Sequence, residues 1–233
     1  MTVRALACDF GGTLARPGLD PDGETVAAVL RDLNGTWVPR GFAAVFDAVH
    51  RRVWEADRAT ARQTPFAEEI RRAAAACGAV VADPVAATEA LFSAVPDAEV
   101  DRDAARALRY LHDGGLVCVL ACDTQRPRAV RLRTLEAAGI GSCFDAVVLS
   151  STVGVRKPHP QFYDAVVAGA GFPAADILFV GDTLAKDVLG PLAHGLRAVL
   201  VAPDGYPSGA DEGIVVIRRF ADLPAYLAVG DVG

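Results

Sequence analysis

The sequence predicts an α/β fold, a doubly wound parallel sheet joined to a small all-helical domain, and three observations predict it. Short apolar runs at residues 3–8, 116–121, 146–149, 177–180, 198–201 and 214–217 are nearly continuous in Val, Leu, Ile and Ala. Such runs read as strands covered on both faces. From residue 97 onward they alternate with segments of helical period, which is the pattern of right-handed βαβ crossovers. From about residue 17 to residue 96 the apolar pattern becomes helical. The expected organisation is therefore a core of residues 1–16 and 97–233, with residues 17–96 inserted as a helical cap. At about 150 residues per domain, 233 residues allow one large or one large and one small domain.

The elements follow in order. The first strand ends at Asp9, where Gly11-Gly12 imposes a tight turn. In the inserted segment Phe42, Val45, Phe46, Val49 and Val53 share one helical face. Thr64-Pro65 and Asp83-Pro84 each read as an N-cap followed by proline at the first helical position, and Gly78 reads as a helix stop. Trp37 and Trp54 are expected in the core of this segment. In the second half, helices are expected at 101–112, stopped by Gly114-Gly115, at 128–138, ended by Gly139, and at 161–170 and 187–194, the last stopped by Gly195. Arg126 and Arg128 read as solvated residues at a helix start, Lys186 as a solvated first-turn residue, His159 as a loop histidine, and 203–213 as a surface loop.

Composition excludes several classes of function. The net charge is −6, and an acidic chain without a basic run does not bind nucleic acid through its phosphates. The apolar runs fall far short of the ~20 residues that span a bilayer, so no membrane association is expected. The N-terminus carries no apolar segment of signal-peptide length, and the five cysteines, an odd number, read as reduced thiols, so the expected location is cytoplasmic. Of 23 basic residues only Lys157 and Lys186 are lysines.

Ligands of open α/β sheets bind at the carboxyl ends of the strands. Asp9, Cys122-Asp123-Thr124 and Asp182 fall at three such ends, and Arg156-Lys157-Pro158 lies in the loop after a fourth strand. Carboxylates from two strand ends suit a hard cation such as Mg2+, and a lysine beside them offsets anionic charge.

In this order the clusters resemble the haloacid dehalogenase-like superfamily of hydrolases. Asp9-Phe10-Gly11-Gly12-Thr13-Leu14 looks like its first motif, Lys157-Pro158 like its third, and Val180-Gly181-Asp182-Thr183-Leu184-Ala185-Lys186-Asp187-Val188 like its fourth. The resemblance implies a Rossmann-like core with a cap inserted after the first motif. It also implies that Asp9 attacks phosphorus to give an aspartyl-phosphate. Mg2+ would bind Asp9, the Gly11 carbonyl and Asp182, Lys157 would bridge Asp9 and the phosphoryl oxygens, and Asp187 would orient Lys157 or bound water. Thr13 would position the first loop, and Cys122 and Asp123 would meet the substrate.

Two departures stand out. Phosphatases of the superfamily usually carry a second Asp at the position of Gly11, which protonates the leaving group. General acid–base help is worth ~10²–10⁴-fold, so a leaving group that departs readily, as from an acyl or anomeric phosphate, is favoured here. Cys122 stands where Ser or Thr is usual, and Asp123 adds negative charge beside an anionic substrate. The function expected is a Mg2+-dependent phosphatase of a small phosphorylated metabolite, acting as a monomer or homodimer. The alternatives are a dehalogenase-like carbon–halogen hydrolase, disfavoured by Asp182 and Asp187, and a non-catalytic relative that binds a phosphorylated ligand.

Overall fold

A computed structural model describes residues 3–205 and 213–230. The expected surface loop at 203–213 therefore lies largely outside the described residues. Six parallel strands form the main sheet: β1 (Ala5–Cys8), β4 (Val117–Cys122), β5 (Ala146–Leu149), β6 (Ile177–Gly181), β7 (Arg197–Val201) and β8 (Val215–Ile217), in the spatial order β5-β4-β1-β6-β7-β8. All six fall on the expected apolar runs, within one or two residues at the ends.

The reason the runs are apolar at consecutive positions is visible in the packing. Leu6 and Cys8 of β1, Cys118 and Leu120 of β4, and Leu178 and Val180 of β6 face one hydrophobic cluster. Ala5 and Ala7, Val119 and Ala121, and Ile177 and Phe179 face a second cluster on the other side. The first face is covered by α5 (Arg102–Asp113), α6 (Arg128–Ala137) and α10 (Leu223–Gly230), the second by α8 (Pro160–Ala170). Side chains alternate between faces with period two, so a strand buried on both faces shows no polar alternation.

Residues 23–94 hold four helices: α1 (Gly23–Arg31), α2 (Phe42–Thr60), α3 (Phe66–Cys77) and α4 (Pro84–Ala94). They bury a core of their own, in which Phe42, Phe46, Phe66 and Phe92 are central and Val130 of α6 is the contribution from the sheet side. Asp83 caps α4 as expected, accepting from the Val85 and Ala86 N–H groups. At α3 the expectation is off by one: Pro65 is the N-cap, while Thr64 bonds Asp57 through its N–H and its hydroxyl. The two tryptophans depart from the sequence reading. Trp37 is 59 % exposed and Trp54 45 %, and neither belongs to the phenylalanine cluster.

Absent from the sequence reading are two short strands, the helical turn Ser150–Val153 and the helix α10. β2 (Ala15–Pro17) pairs antiparallel with β3 (Ala98–Val100) where the chain leaves and re-enters the sheet core. Three-residue strands are too short to carry a period. The helix expected at 187–194 begins earlier, as a π-helical turn Leu184–Leu189 running into α9 (Gly190–Ala193). Among the described residues no helix is long and apolar enough to cross a membrane, and all five cysteines are unpaired.

Candidate active site

β1 lies at the middle of the sheet with β4 on one side and β6 on the other. The chain leaves β1 for β4 and β5, then returns across it to β6. A crevice opens at the carboxyl ends where that direction reverses. Asp9 follows β1 directly, and its N–H donates to Val180 O at 2.9 Å, which fixes the loop against β6. Leu14 and Ala15 N–H groups both return to Phe10 O at 2.9 Å, closing a tight turn over residues 10–15.

Gly12 turns with φ +79°, and a Cβ there would overlap Asp182 Oδ2. Glycine is thus required both for the backbone and for the approach of the carboxylate. Gly181 does the same for Asp187, whose Cγ a Cβ at 181 would overlap. Gly11 differs: a Cβ would meet only Pro17, at 3.7 Å.

Lys157 organises the centre. Its Nζ donates to Asp9 Oδ1 at 2.7 Å, to Asp187 Oδ1 at 2.7 Å and to Ala121 O at 3.2 Å, which uses all three ammonium protons. The ring of Phe179 lies 5.3 Å from the same nitrogen. Burial pulls the Lys157 ammonium down, but Asp9, Asp187 and Asp123 more than offset this and hold it well above the ordinary lysine value. Burial pushes Asp9 up to about 6, against the pull of Lys157 and reinforced by Asp187 and Asp182. Asp182 is raised as well, by burial and then by Asp187.

Asp9, Asp182 and Asp187 bring carboxylate oxygens within 4.8 Å of one another. Asp187 spends both oxygens, Oδ1 on Lys157 and Oδ2 on the Thr183 N–H at 2.9 Å. Asp9 Oδ2 and Asp182 Oδ2 receive no donor among the described residues. Three carboxylates against one ammonium leave a formal excess of two negative charges. A divalent cation fits that excess and the all-oxygen donor set.

The remaining expected residues are also here, with corrections. Cys122 is buried, its thiol donating to Asp123 O at 3.4 Å, and burial pushes it to about 12, so it stays protonated. The Thr13 hydroxyl is buried and has no hydrogen-bond partner among the described residues. Asp123 does not add free negative charge. Its Oδ1 accepts the Lys157 N–H at 3.0 Å, and its Oδ2 lies 3.1 Å from Lys186 Nζ and 3.9 Å from Arg156. Lys186 is accordingly a half-buried partner of Asp123 instead of a solvated residue. His159 caps α8, its Nδ1 accepting the Gln161 N–H.

Arg126 is the largest correction. It is 5 % exposed, its Nε lies 2.8 Å from Asp97 Oδ1, and its Nη2 donates to Pro96 O at 3.0 Å and Leu19 O at 3.4 Å. It therefore ties together both chain segments that join the helical lobe to the sheet. Arg131 holds the other Asp97 oxygen at 2.9 Å. Pairing across a fold is invisible in a linear sequence.

Two cavities meet at this point. The smaller, about 250 Å³, holds Asp9, Lys157, Asp182, Thr183, Lys186 and Asp187. The larger, about 380 Å³, lies under the helical lobe and is lined by Trp54, Phe66, Phe92, Arg126 and a hydrogen-bonded chain. In that chain Glu69 accepts from Gln125 Nε2 at 2.8 Å and bonds His50 Nδ1 at 2.6 Å. Gly11, Asp123 and Arg156 line both cavities.

A family model described as haloacid dehalogenase-like hydrolase matches residues 3–195. A phosphoglycolate phosphatase from Pectobacterium atrosepticum is 27% identical over 95% of this chain and 91% of its own. A 2-haloacid dehalogenase structure from Pseudomonas syringae pv. Tomato covers 98% of this chain and 100% of its own at TM-score 0.70 and 19% identity. The Bacillus subtilis hydrolase YfnB, solved bound to magnesium, covers 97% of this chain and 99% of its own at TM-score 0.59 and 18% identity. At those identities the two structures establish a shared fold.

Proposed function

Since this chain belongs to the haloacid dehalogenase-like hydrolases, we propose that it hydrolyses the phosphate monoester of a small metabolite through an aspartyl-phosphate on Asp9. The observation that carries this reading is the excess of negative charge around Asp9, Asp182 and Asp187 with Lys157 clamped between two of them. A carbon–halogen hydrolase has no need of that excess, whereas a phosphoryl site uses it to hold a cation against the substrate's oxygens.

Asp9 Oδ2 and Asp182 Oδ2, free of protein donors, would hold Mg2+ together with the Gly11 carbonyl. Bound there, Mg2+ would offset charge on the transferring phosphoryl group. Asp9 attacks phosphorus with the oxygen that would not hold Mg2+, Oδ1, which Lys157 orients at 2.7 Å. Lys157, with its donors fixed by Asp9, Asp187 and Ala121 O, keeps the nucleophile ionised and oriented. Asp187 is a positioning residue, holding Lys157 with one oxygen and the Thr183 N–H with the other. Thr13 serves the loop, and Cys122 and Asp123 border the substrate. Residues 17–96 act as a cap that shelters the phosphoenzyme from bulk water.

The test is phosphate release from a panel of acyl phosphates, sugar 1-phosphates and alkyl phosphates, with Mg2+ or with EDTA. Wild type is expected to release phosphate only with Mg2+, and Asp9→Asn to release none while melting at the wild-type temperature. Turnover by Asp9→Asn refutes the covalent mechanism. Halide release from a 2-haloacid in EDTA would move the reading to carbon–halogen hydrolysis, the chemistry that the bare Gly11 leaves open.

A further inference from the structure

The group that departs from phosphorus has room toward the helical lobe, where the small cavity shares Gly11, Asp123 and Arg156 with the larger one, while Lys157 and Asp187 of the small cavity are buried. The neck between the two cavities is formed by Gly11, Asp123 and Arg156. None of these three offers a proton. Gly11 has no side chain, and Asp123 is ion-paired with Lys186. Arginine is a donor that does not give up its proton in proteins. Of the two histidines nearby in sequence or cavity, His159 caps α8 through its Nδ1, and His50 is tied through its Nδ1 to the buried Glu69 at 2.6 Å.

Arg156 is nevertheless the one loosely held cation of the neck among the described residues. Lys157 has all three donors engaged and Lys186 is 3.1 Å from Asp123, whereas Arg156 reaches Asp123 only at 3.9 Å, outside hydrogen-bond range. Its backbone is fixed from both sides. The Arg156 N–H donates to Ala61 O at 2.8 Å, Val155 bridges Arg62, and Gln63 N–H donates to Gly154 O at 3.0 Å. The backbone of Arg156 is thereby fixed where the two cavities meet, and its guanidinium N–H groups find no acceptor within hydrogen-bond distance among the described residues.

Resting on the phosphatase reading above, we propose that Arg156 is a catalytic residue that stabilises the leaving oxygen as an anion, so that the substrates are phosphates of acidic leaving groups, namely acyl, enol or phenolic oxygens. In the first step an Asp9 oxygen bonds phosphorus and the bond from phosphorus to the leaving oxygen breaks. The electron pair stays on that oxygen, no proton moves, and the new anion rests against Arg156. In the second step the oxygen of water bonds phosphorus and the Asp9–phosphorus bond breaks, returning the carboxylate. Both water protons leave with the phosphate, which gives one to solvent. Fixed cationic donors aimed at developing charge are worth ~10²–10³-fold each in such sites.

The experiment measures kcat/KM for phosphate release from acetyl phosphate, a series of ring-substituted phenyl phosphates and glycerol 3-phosphate, using the Mg2+-loaded full chain. Wild type should be fast on acetyl phosphate, depend steeply on phenol acidity and be slowest on glycerol 3-phosphate. Arg156→Met should lose about 10²-fold or more on the least acidic phenols and progressively less as acidity rises, making the dependence steeper, and Arg156→Lys should recover part of the loss. Gly11→Asp, for which the neck has room, should raise release from glycerol 3-phosphate by about 10²-fold and make truncation of Arg156 less costly. A loss that is uniform across the series, no loss at all, or wild-type release from glycerol 3-phosphate as fast as from phenyl phosphates overturns the role of Arg156 and leaves the phosphatase reading standing. Silence of folded wild type on every substrate overturns the phosphatase reading, and this one with it. Melting curves of each variant separate a folding defect from a catalytic one, with Arg156→Lys as the conservative variant that keeps the cation.

Discussion

Replacing Lys157 by Met keeps much of the stem's volume and removes the charge between Asp9 and Asp187. In the wild type the ammonium lies 2.7 Å from an oxygen of each, with side-chain exposures of 2%, 10% and 1% for Lys157, Asp9 and Asp187. The variant leaves two buried carboxylates facing each other with no cation. Breaking a buried pair in this way costs about 3–5 kcal/mol. For a chain of 233 residues, at roughly 2–4 °C per kcal/mol, the melting temperature should fall by about 6–20 °C in EDTA at pH 8. The sign with pH follows from the groups involved. Lys157 is held above its ordinary value, so its contribution is intact everywhere below about 10.4 and constant from pH 5 to 8. Asp9 is already raised to about 6, so the folded state holds its proton more tightly than the unfolded chain does. Asp9 therefore lowers stability as pH rises through and beyond the ordinary carboxylate range. Without Lys157 the Asp9 carboxyl moves higher still. The deficit should then be largest at pH 8 and partly relieved at pH 5, where Asp9 takes up a proton. Adding Asp187→Asn should restore part of the loss. Calorimetric or circular-dichroism melting at both pH values measures this. A fall under about 2 °C at pH 8, or the same fall at both, refutes the charge argument.

Two further outcomes follow from the same geometry. Gly12→Ala puts a Cβ onto Asp182 Oδ2 at a residue with φ +79°, so it should cost about 1–3 kcal/mol and abolish the rise in melting temperature that Mg2+ gives the wild type. A variant still stabilised by Mg2+ to the wild-type extent would separate Asp182 from the cation. Arg126→Ala strips Asp97 of one partner and the Leu19 and Pro96 carbonyls of theirs, and should cost about 3 kcal/mol in urea unfolding. Arg128→Ala, two residues on, exposed and donating to Val147 O at 2.9 Å, should cost about 1 kcal/mol or less. Equal effects would refute the clasp across the two connecting segments.

The strands were legible in the sequence because a strand covered on both faces writes its burial into every consecutive residue, as in Leu6–Ala7–Cys8 or Leu178–Phe179–Val180. The positions of Asp9 and Asp182 were legible because polar residues at the ends of such runs have few structural reasons to be there, and Lys157, in a loop, through the resemblance of Lys157-Pro158 to the third motif. The two glycines that let Asp182 and Asp187 approach, Gly12 and Gly181, announced a tight turn and a strand end without disclosing which carboxylate needed the space.

What the sequence determined alone was local: where apolar runs begin and stop, where a proline or glycine interrupts a helix, and which charged residues stand at strand ends. Only the tertiary structure decided which charges share a space. It turned Arg126 from a solvated helix-start residue into a buried clasp on Asp97, gave Asp123 the cations that balance it, set Trp54 on a cavity wall, and placed Arg156 between two cavities. The physical reason is that secondary structure follows the apolar pattern of neighbours within a few residues. The energy of a charge depends instead on partners a few ångströms away, brought there here from as far as residue 9 to residue 157.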